Sequence, residues 1–173
     1  TLVKARPVYD ASGKVELAVN VFHDISGMKR SEVVQRLMAR AGEALTSSLD
    51  VSATLNTVAQ MCVPLLADWC TVHILEEGEV RQVAIAHTDP DKVQLAERIS
   101  QRYPMDPDTS RGIQKVLRTG QAEFYAEISP ETLAASAEDQ EHLDLLRQLG
   151  PRSVIIVPLI ARGRTLGSIT LVW

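Results

Sequence analysis

The sequence predicts an α+β domain with a mostly antiparallel sheet flanked by helices, preceded by a separate β-hairpin and a connecting helix. Apolar, β-branched runs come in pairs around tight turns. Trp69 to Leu75 and Val80 to His87 flank Glu76-Glu77-Gly78-Glu79, and Arg152 to Ala161 and Thr165 to Trp173 flank Arg162-Gly163-Arg164. Segments of helical period, each opened by a capping residue, lie between those pairs and do not alternate with single strands. That order argues against a doubly wound parallel sheet. A third strand pair, Thr1 to Tyr9 and Val15 to His23, stands at the beginning and is separated from the others by a long stretch of helical period.

Each element has a local cause. In the first pair, Asp10-Ala11-Ser12-Gly13 supplies the turn, with Gly13 free to take positive φ. Two strands alone are marginal in water, so this hairpin is expected to belong to a sheet whose other strands lie outside the sequence or come from another chain. At Asp24-Ile25-Ser26 the period changes, and Asp24 or Ser26 N-caps a helix expected over Gly27 to Leu49. Val34, Leu37, Ala41 and Ala44 follow spacings of three and four, with Met38 and Leu45 widening the stripe into the seam of a short parallel coiled coil. Gly42 and Ser48 weaken that seam, so a helix lying on its own domain is an equal alternative. Further on, Asp50 or Ser52 caps a helix through Leu66, kinked at Pro64, with Leu55, Val58, Ala59, Cys62 and Leu66 on one face. Asp89-Pro90 opens a helix to Tyr103, and Thr109 or Ser110 opens another to Arg118, ended by Gly120. Gln121 to Ala126 is a short strand, and Ser129-Pro130-Glu131 starts a helix to Leu149 that Gly150-Pro151 stops. The chain therefore divides into residues 1–26, 27–49 and 50–173.

Composition bounds the function. Of 173 residues 45% are hydrophobic and 23% charged, with only 8 Pro and 9 Gly, which excludes disordered and collagen-like chains. The longest apolar run, Val154 to Ala161, falls far short of the roughly 18–20 residues that cross a bilayer, so no membrane contact is expected. Net charge is −4, divided as +2 over residues 1–49 and −6 over residues 50–173, so no basic face is offered to nucleic acid. Cys62 and Cys70 form neither a disulfide framework nor a metal cluster; they read as small buried thiols of a cytoplasmic protein. Thr1 in place of Met, and a final Thr170-Leu171-Val172-Trp173 that stops inside a strand-like run, lead us to expect a segment of a longer chain.

Two families are resembled. Tyr9-Asp10-Ala11-Ser12-Gly13 through Val21-Phe22-His23-Asp24-Ile25-Ser26 resembles the final hairpin of a PAS domain, whose Asp-Ile-Thr begins a signalling helix. Ala44 to Asp50, Val63 to Cys70, Ala86 to Pro90, Val116 to Gly120 and Gly150 to Val154 leading into Val157 to Gly167 together resemble a GAF domain of bacterial sensor proteins. Those parents include histidine kinases and metal-dependent serine/threonine phosphatases. The resemblance implies a six-stranded antiparallel sheet with N- and C-terminal helices on one face and a ligand-sized pocket on the other. The closing C-terminal helix has no counterpart here, which implies an exposed apolar sheet face that a partner chain would cover.

No catalytic constellation is present: the sequence lacks a Gly-x-Ser-x-Gly elbow, a Gly-x-x-x-x-Gly-Lys loop and a paired-carboxylate motif, so this segment is expected not to be an enzyme. His142, preceded by Glu141 and not followed by Pro at the phosphoacceptor spacing, reads as a surface histidine. Alternation places Trp69, Thr71, His73 and Leu75 on one strand face and Val83, Ile85 and His87 on one face of the next, so pairing brings both imidazoles to one side. Two imidazoles alone close no metal site, and structural histidines explain them better. Arg118 and Arg152 form an anion site if they converge; otherwise Arg118 complements a helix C-terminus. The family's cyclic-nucleotide, bilin and sulfoxide-reducing signatures are missing, which leaves a small molecule of unspecified type, or none. Pocket candidates are thus Thr71, His73, His87, Arg118 and Arg152; the dimerisation candidates are Val34, Leu37, Ala41 and Ala44. The expected function is a cytoplasmic sensor and dimerisation segment, a homodimer relaying small-molecule or partner signals through the connecting helix to an output domain in the same parent chain. A constitutive scaffold, its pocket filled by Trp69, Tyr103, Phe124 and Tyr125, and a metal- or haem-binding redox sensor are the alternatives.

Overall fold

Turn chemistry sets each hairpin of the computed structural model, which describes residues 2–9, 11–25, 27, 31–32, 35–36, 39, 42 and 50–173. The chain forms two compact units, residues 1–40 and 41–173. In the first, β1 (Leu2–Tyr9) and β2 (Val15–His23) pair antiparallel, and Gly13 at φ 81° supplies the left-handed turn position. Val3, Tyr9, Val15, Leu17, Val19 and Val21 are all exposed, so this ribbon leaves apolar surface in water. Gly27, Ser31, Glu32, Gln35, Arg36, Ala39 and Gly42 are helical, and Arg36 Nη2 meets Glu32 Oε1 at 2.8 Å across one turn. The expected seam residues Val34, Leu37, Ala41 and Ala44 lie outside the described residues.

In the second unit, α1 (Val51–Cys62) begins where the Asp50 carboxylate accepts the Ala53 N–H at 3.1 Å. It ends at Cys62, short of the expected Leu66. Pro64 has no N–H to give, and it disfavours helical geometry in Val63, which is extended. Then β3 (Trp69–Glu76) and β4 (Glu79–His87) turn at Glu77 and Gly78, both with positive φ. Asp89 caps α2 (Pro90–Arg102), and Gly120 at φ 65° ends α3 (Gly112–Thr119). After β5 (Glu123–Tyr125) comes a correction to the single helix expected up to Leu149. The structure has two, α4 (Pro130–Ala134) and α5 (Gln140–Leu149). Ser136 Oγ turns back onto the Thr132 carbonyl, and Asp139, in extended geometry, accepts the His142 N–H to cap a fresh start. β6 (Val154–Ala161) and β7 (Arg164–Val172) close a hairpin at Arg162 and Gly163, again with positive φ at both.

The five strands run in the order β4-β3-β7-β6-β5, and every neighbouring pair is antiparallel. The resemblance implied six strands; among the described residues there are five. Between β4 and β5 the chain is given to α2, to a loop carrying Pro104 and Pro107 that cannot donate to a ladder, and to α3. The core is centred on β3, where Cys70 and Val72 are fully buried, with Ala59, Ala67, Ala84, Ala86, Val116 and Ile156 around it.

Candidate functional site

Directly paired residues share a sheet face, so the register sorts the candidates. One face carries the row His87-Trp69-Val172, the row Ile85-Thr71-Thr170 and the row Gln82-His73-Ser168. β6 continues these rows with Val154, Ile156 and Pro158, and β5 with Tyr125 and Glu123. α3 lies over this face, because the Gly112 N–H donates to Glu123 Oε2 at 2.8 Å and Lys115 Nζ pairs with Glu123 Oε1. Tyr125 Oη donates to the same carboxylate at 2.6 Å. Burial works to raise the Glu123 carboxyl, but the hydrogen bonds from Lys115, Tyr125 and Gly112 together hold it below its usual range.

Under this cover three polar side chains are buried without a partner among the described residues: His73 Nδ1, Ser168 Oγ and Thr170 Oγ1. Their residues are 7%, 0% and 7% exposed. His73 and Ser168 stand directly opposite each other across β3 and β7, and Thr170 is the next residue of β7 on the same side. Burial lowers the His73 pKa to about 4, so the ring is neutral at pH 7. A neutral imidazole and two hydroxyls both donate and accept, so the cluster suits an uncharged hydrogen-bonding group. Gly167 holds the strands together here: a Cβ on it would sit 2.2 Å from the His73 carbonyl oxygen. Ser168 and Thr170 escaped the sequence reading because, alternating with Ile169 and Leu171, they look like the wet side of a half-buried strand. The pairing with His73 that exposes their role is a tertiary fact.

The other candidates are distributed more widely. Thr71 is half-buried in the row between Trp69 and His73. His87 shares their face but is paired with Trp69, four residues from His73, or about 13 Å along the strand. Its ring packs on Trp69 at 4.3 Å, and its Nδ1 accepts the Asp89 N–H at 2.8 Å. The shared face therefore does not make the two imidazoles neighbours. Among the described residues no group of three or more His, Cys, Asp or Glu side chains is placed to hold a metal. Arg118 donates to the Thr109 carbonyl at 2.8 Å and Arg152 to Asp68 Oδ2 at 3.3 Å, so these guanidinium groups serve different partners and do not converge.

His142 also differs from the sequence expectation, because it is buried. Its ring stacks on Tyr103 at 4.0 Å, Tyr103 Oη donates to Asp139 Oδ1 at 3.0 Å, and Arg102 pairs with Glu141 at 2.7 Å, clasping the end of α2 to the start of α5. Nor do Trp69, Tyr103, Phe124 and Tyr125 gather into one filled cavity. Trp69 packs on His87, Tyr103 on His142, Tyr125 bonds Glu123, and Phe124 belongs to the opposite sheet face. That second face is apolar, carrying Cys70 and Val72 from β3, Ile169 and Leu171 from β7, and Ile155 and Val157 from β6. α1 packs against its β3 and β4 end. At the other end Phe124 is 66% exposed beside an open concavity of about 510 Å³ lined with Arg152, Ser153, Ile155 and Trp173.

An antiparallel five-stranded sheet with helices over both faces is the architecture of an α+β domain. Residues 50–173 match the GAF domain family, and the chain belongs to that family of regulatory, sensory signalling domains. Its fold is similar to the GAF domain of a phosphoenolpyruvate-protein phosphotransferase from Coxiella burnetii, with 17% identity over 84% of this chain and 77% of that one, TM-score 0.55. The A. aeolicus nlh2 GAF domain in an inactive state is also similar, with 17% identity over 85% of this chain and 80% of that one, TM-score 0.54. So is the GAF domain of a protein described as a sensor histidine kinase from Pseudomonas syringae pv. tomato, with 14% identity over 87% and 75%, TM-score 0.50. At these identities the likeness is one of fold. Comparison with curated proteins gives no match. No helix among the described residues is long and apolar enough to cross a membrane.

Proposed function

We propose that this chain is the sensor and dimerisation segment of a cytoplasmic bacterial signalling protein, a histidine kinase or serine/threonine phosphatase. In this reading the β1–β2 hairpin ends a PAS domain, the segment carries no catalysis of its own, and its GAF domain binds a small uncharged molecule. The observation behind it is the buried set His73 Nδ1, Ser168 Oγ and Thr170 Oγ1, which has no partner among the described residues. Leaving such groups dry costs about 1–3 kcal/mol each, so a hydrogen-bonding guest gains what the empty domain lacks. Binding that favours one of two arrangements of the domain then biases the output.

Native mass spectrometry of the chain purified from a bacterial cytoplasm tests this, together with Thr170→Val. The wild type is expected to carry a non-covalent mass that disappears in the variant, while the emptied variant becomes more stable than the emptied wild type. A bare polypeptide mass in both, with Thr170→Val less stable than wild type, rejects the ligand site. A second reading, a constitutive dimerisation scaffold, draws on the exposed apolar end around Phe124. It requires a dimer whose stability is unchanged by Thr170→Val and lowered by Phe124→Ser.

A further inference from the structure

β4 is an outer strand of the sheet: the order β4-β3-β7-β6-β5 leaves one of its edges without a strand partner among the described residues. Strand residues turn their N–H and C=O groups alternately to either side, so this edge offers a row of both. α1 and α2 each pack against β4. A groove of about 670 Å³ is lined jointly by residues 82–85 of β4 and by residues of these two helices. From α1 come Asn56 and Gln60, exposed and one turn apart, and from α2 the exposed Glu97. The lining is largely polar, and among the described residues its only charged members are Glu97 and the α1 cap Asp50. The neighbouring cations are engaged elsewhere. Arg81, next to Gln82, pairs with Glu76 at 2.9 Å, and Lys92 of α2 donates to the Leu149 carbonyl at 3.1 Å.

We propose that this groove docks an extended basic segment of a partner protein, which joins the sheet as a strand beside β4. A strand edge presents donors and acceptors together, and a peptide backbone answers both, whereas a free polyamine would serve only the carbonyls. Charge selects the segment. Lys or Arg side chains meet the carboxylates of Glu97 and Asp50 and the amide oxygens of Asn56 and Gln60. A second copy of this chain is the poorer occupant, because β4 against β4 sets the acidic lining of one groove against that of the other. Natural edges are blunted by Lys, Pro or a bulge. β4 has neither Lys nor Pro and carries one bulge, where Val83 has no opposite residue in β3. A bulge bends its strand, which restricts the added segment to a few residues and leaves α1 and α2 to supply the remaining contact.

The test uses the full chain and, as probe, a capped octapeptide of alternating lysine and threonine, followed by calorimetry and by amide hydrogen exchange. Expected are slower exchange of β4 amides within residues 82–85 and binding lost when every peptide nitrogen of the probe is methylated. Glu97→Lys should weaken the probe about fivefold or more, as removal of an exposed ion pair and its replacement by a like charge requires. Asn56→Lys, on the opposite wall, should weaken it in the same direction and gives a second reading should Glu97→Lys fold poorly. No binding at millimolar probe overturns the proposal. So does equal binding of the methylated peptide or of spermidine, which would make the groove a site for cations alone. Protection of β4 by self-association of the chain, without probe, would assign the edge to a second copy and overturn it as well.

Discussion

Gly167→Ala measures how tightly the sheet closes beside the polar cluster. An ideal Cβ there lies 2.2 Å from the His73 carbonyl oxygen, 3.2 Å from its carbon and 3.1 Å from Ile74 Cα, all of them backbone atoms with no rotamer to move. Ordinary contact requires the strands to part by about 1 Å, a fifth of the ~4.8 Å strand spacing. A ladder bond stretched by that much is lost, and one or two buried pairs between β3 and β7 then go unmade at about 1–3 kcal/mol each. Against this stands the gain of about 0.5–1 kcal/mol from replacing a flexible glycine inside a strand. The loss wins by about 3 kcal/mol, and for a chain of this size each kcal/mol moves Tm by about 2–4 °C, so Tm should fall by roughly 6–12 °C. Urea unfolding followed by tryptophan fluorescence reports on this unit, because both tryptophans, Trp69 and Trp173, lie in it. A Gly167→Ala protein as stable as wild type, or more so, would refute the reasoning.

Three further outcomes follow from local geometry. Glu77→Asn and Arg162→Asn, each at a positive-φ hairpin position, should stabilise by about 0.5–1 kcal/mol because asparagine tolerates the left-handed region; unchanged guanidinium midpoints would count against this. His73 titrates at about 4 in the fold and near its ordinary 6.5 when unfolded, so it contributes nothing above pH 6.5. As pH falls from 6.5 to 4 the unfolded chain takes a proton that the folded one refuses, and stability drops by about 3 kcal/mol. His73→Gln should flatten that slope, and an unaltered pH profile would exclude His73 as its cause. Asp139→Ala removes the α5 cap and the Tyr103 partner and should lower stability at pH 7. The His142 N–H holds the Asp139 carboxyl below its usual range, so the deficit should shrink as pH falls through that lowered value; a pH-independent difference in thermal unfolding contradicts it.

Local chemistry was readable where one residue fixes one conformation. Gly78 and Gly163 marked the hairpins, Asp50 and Asp89 the helix starts, and Gly120 the end of α3, because caps and left-handed turns are short-range demands. The break between α4 and α5 was hidden by Ala134 to Ala137, whose residues suit a helix until Asp139 offers a better cap. His142, read as a surface residue once Glu141 before it and the missing Pro after it ruled out a phosphoacceptor, is instead buried, stacked on Tyr103 from a different helix. Alternation placed His73 and His87 on one sheet face, as the register has them, but only the ladder says which rows they occupy and so that they are not neighbours.

The sequence by itself determined the order of elements, the antiparallel class and the GAF resemblance, since periodicity, capping and turn residues act within a few positions. Tertiary structure decided what those elements mean chemically. It set Ser168 and Thr170 beside His73, without a partner among the described residues, and kept Arg118 from Arg152. The physical reason is that a side chain's face is set by its own strand or helix, whereas its neighbours across a sheet, or between helix and strand, are set by register and packing over the whole domain.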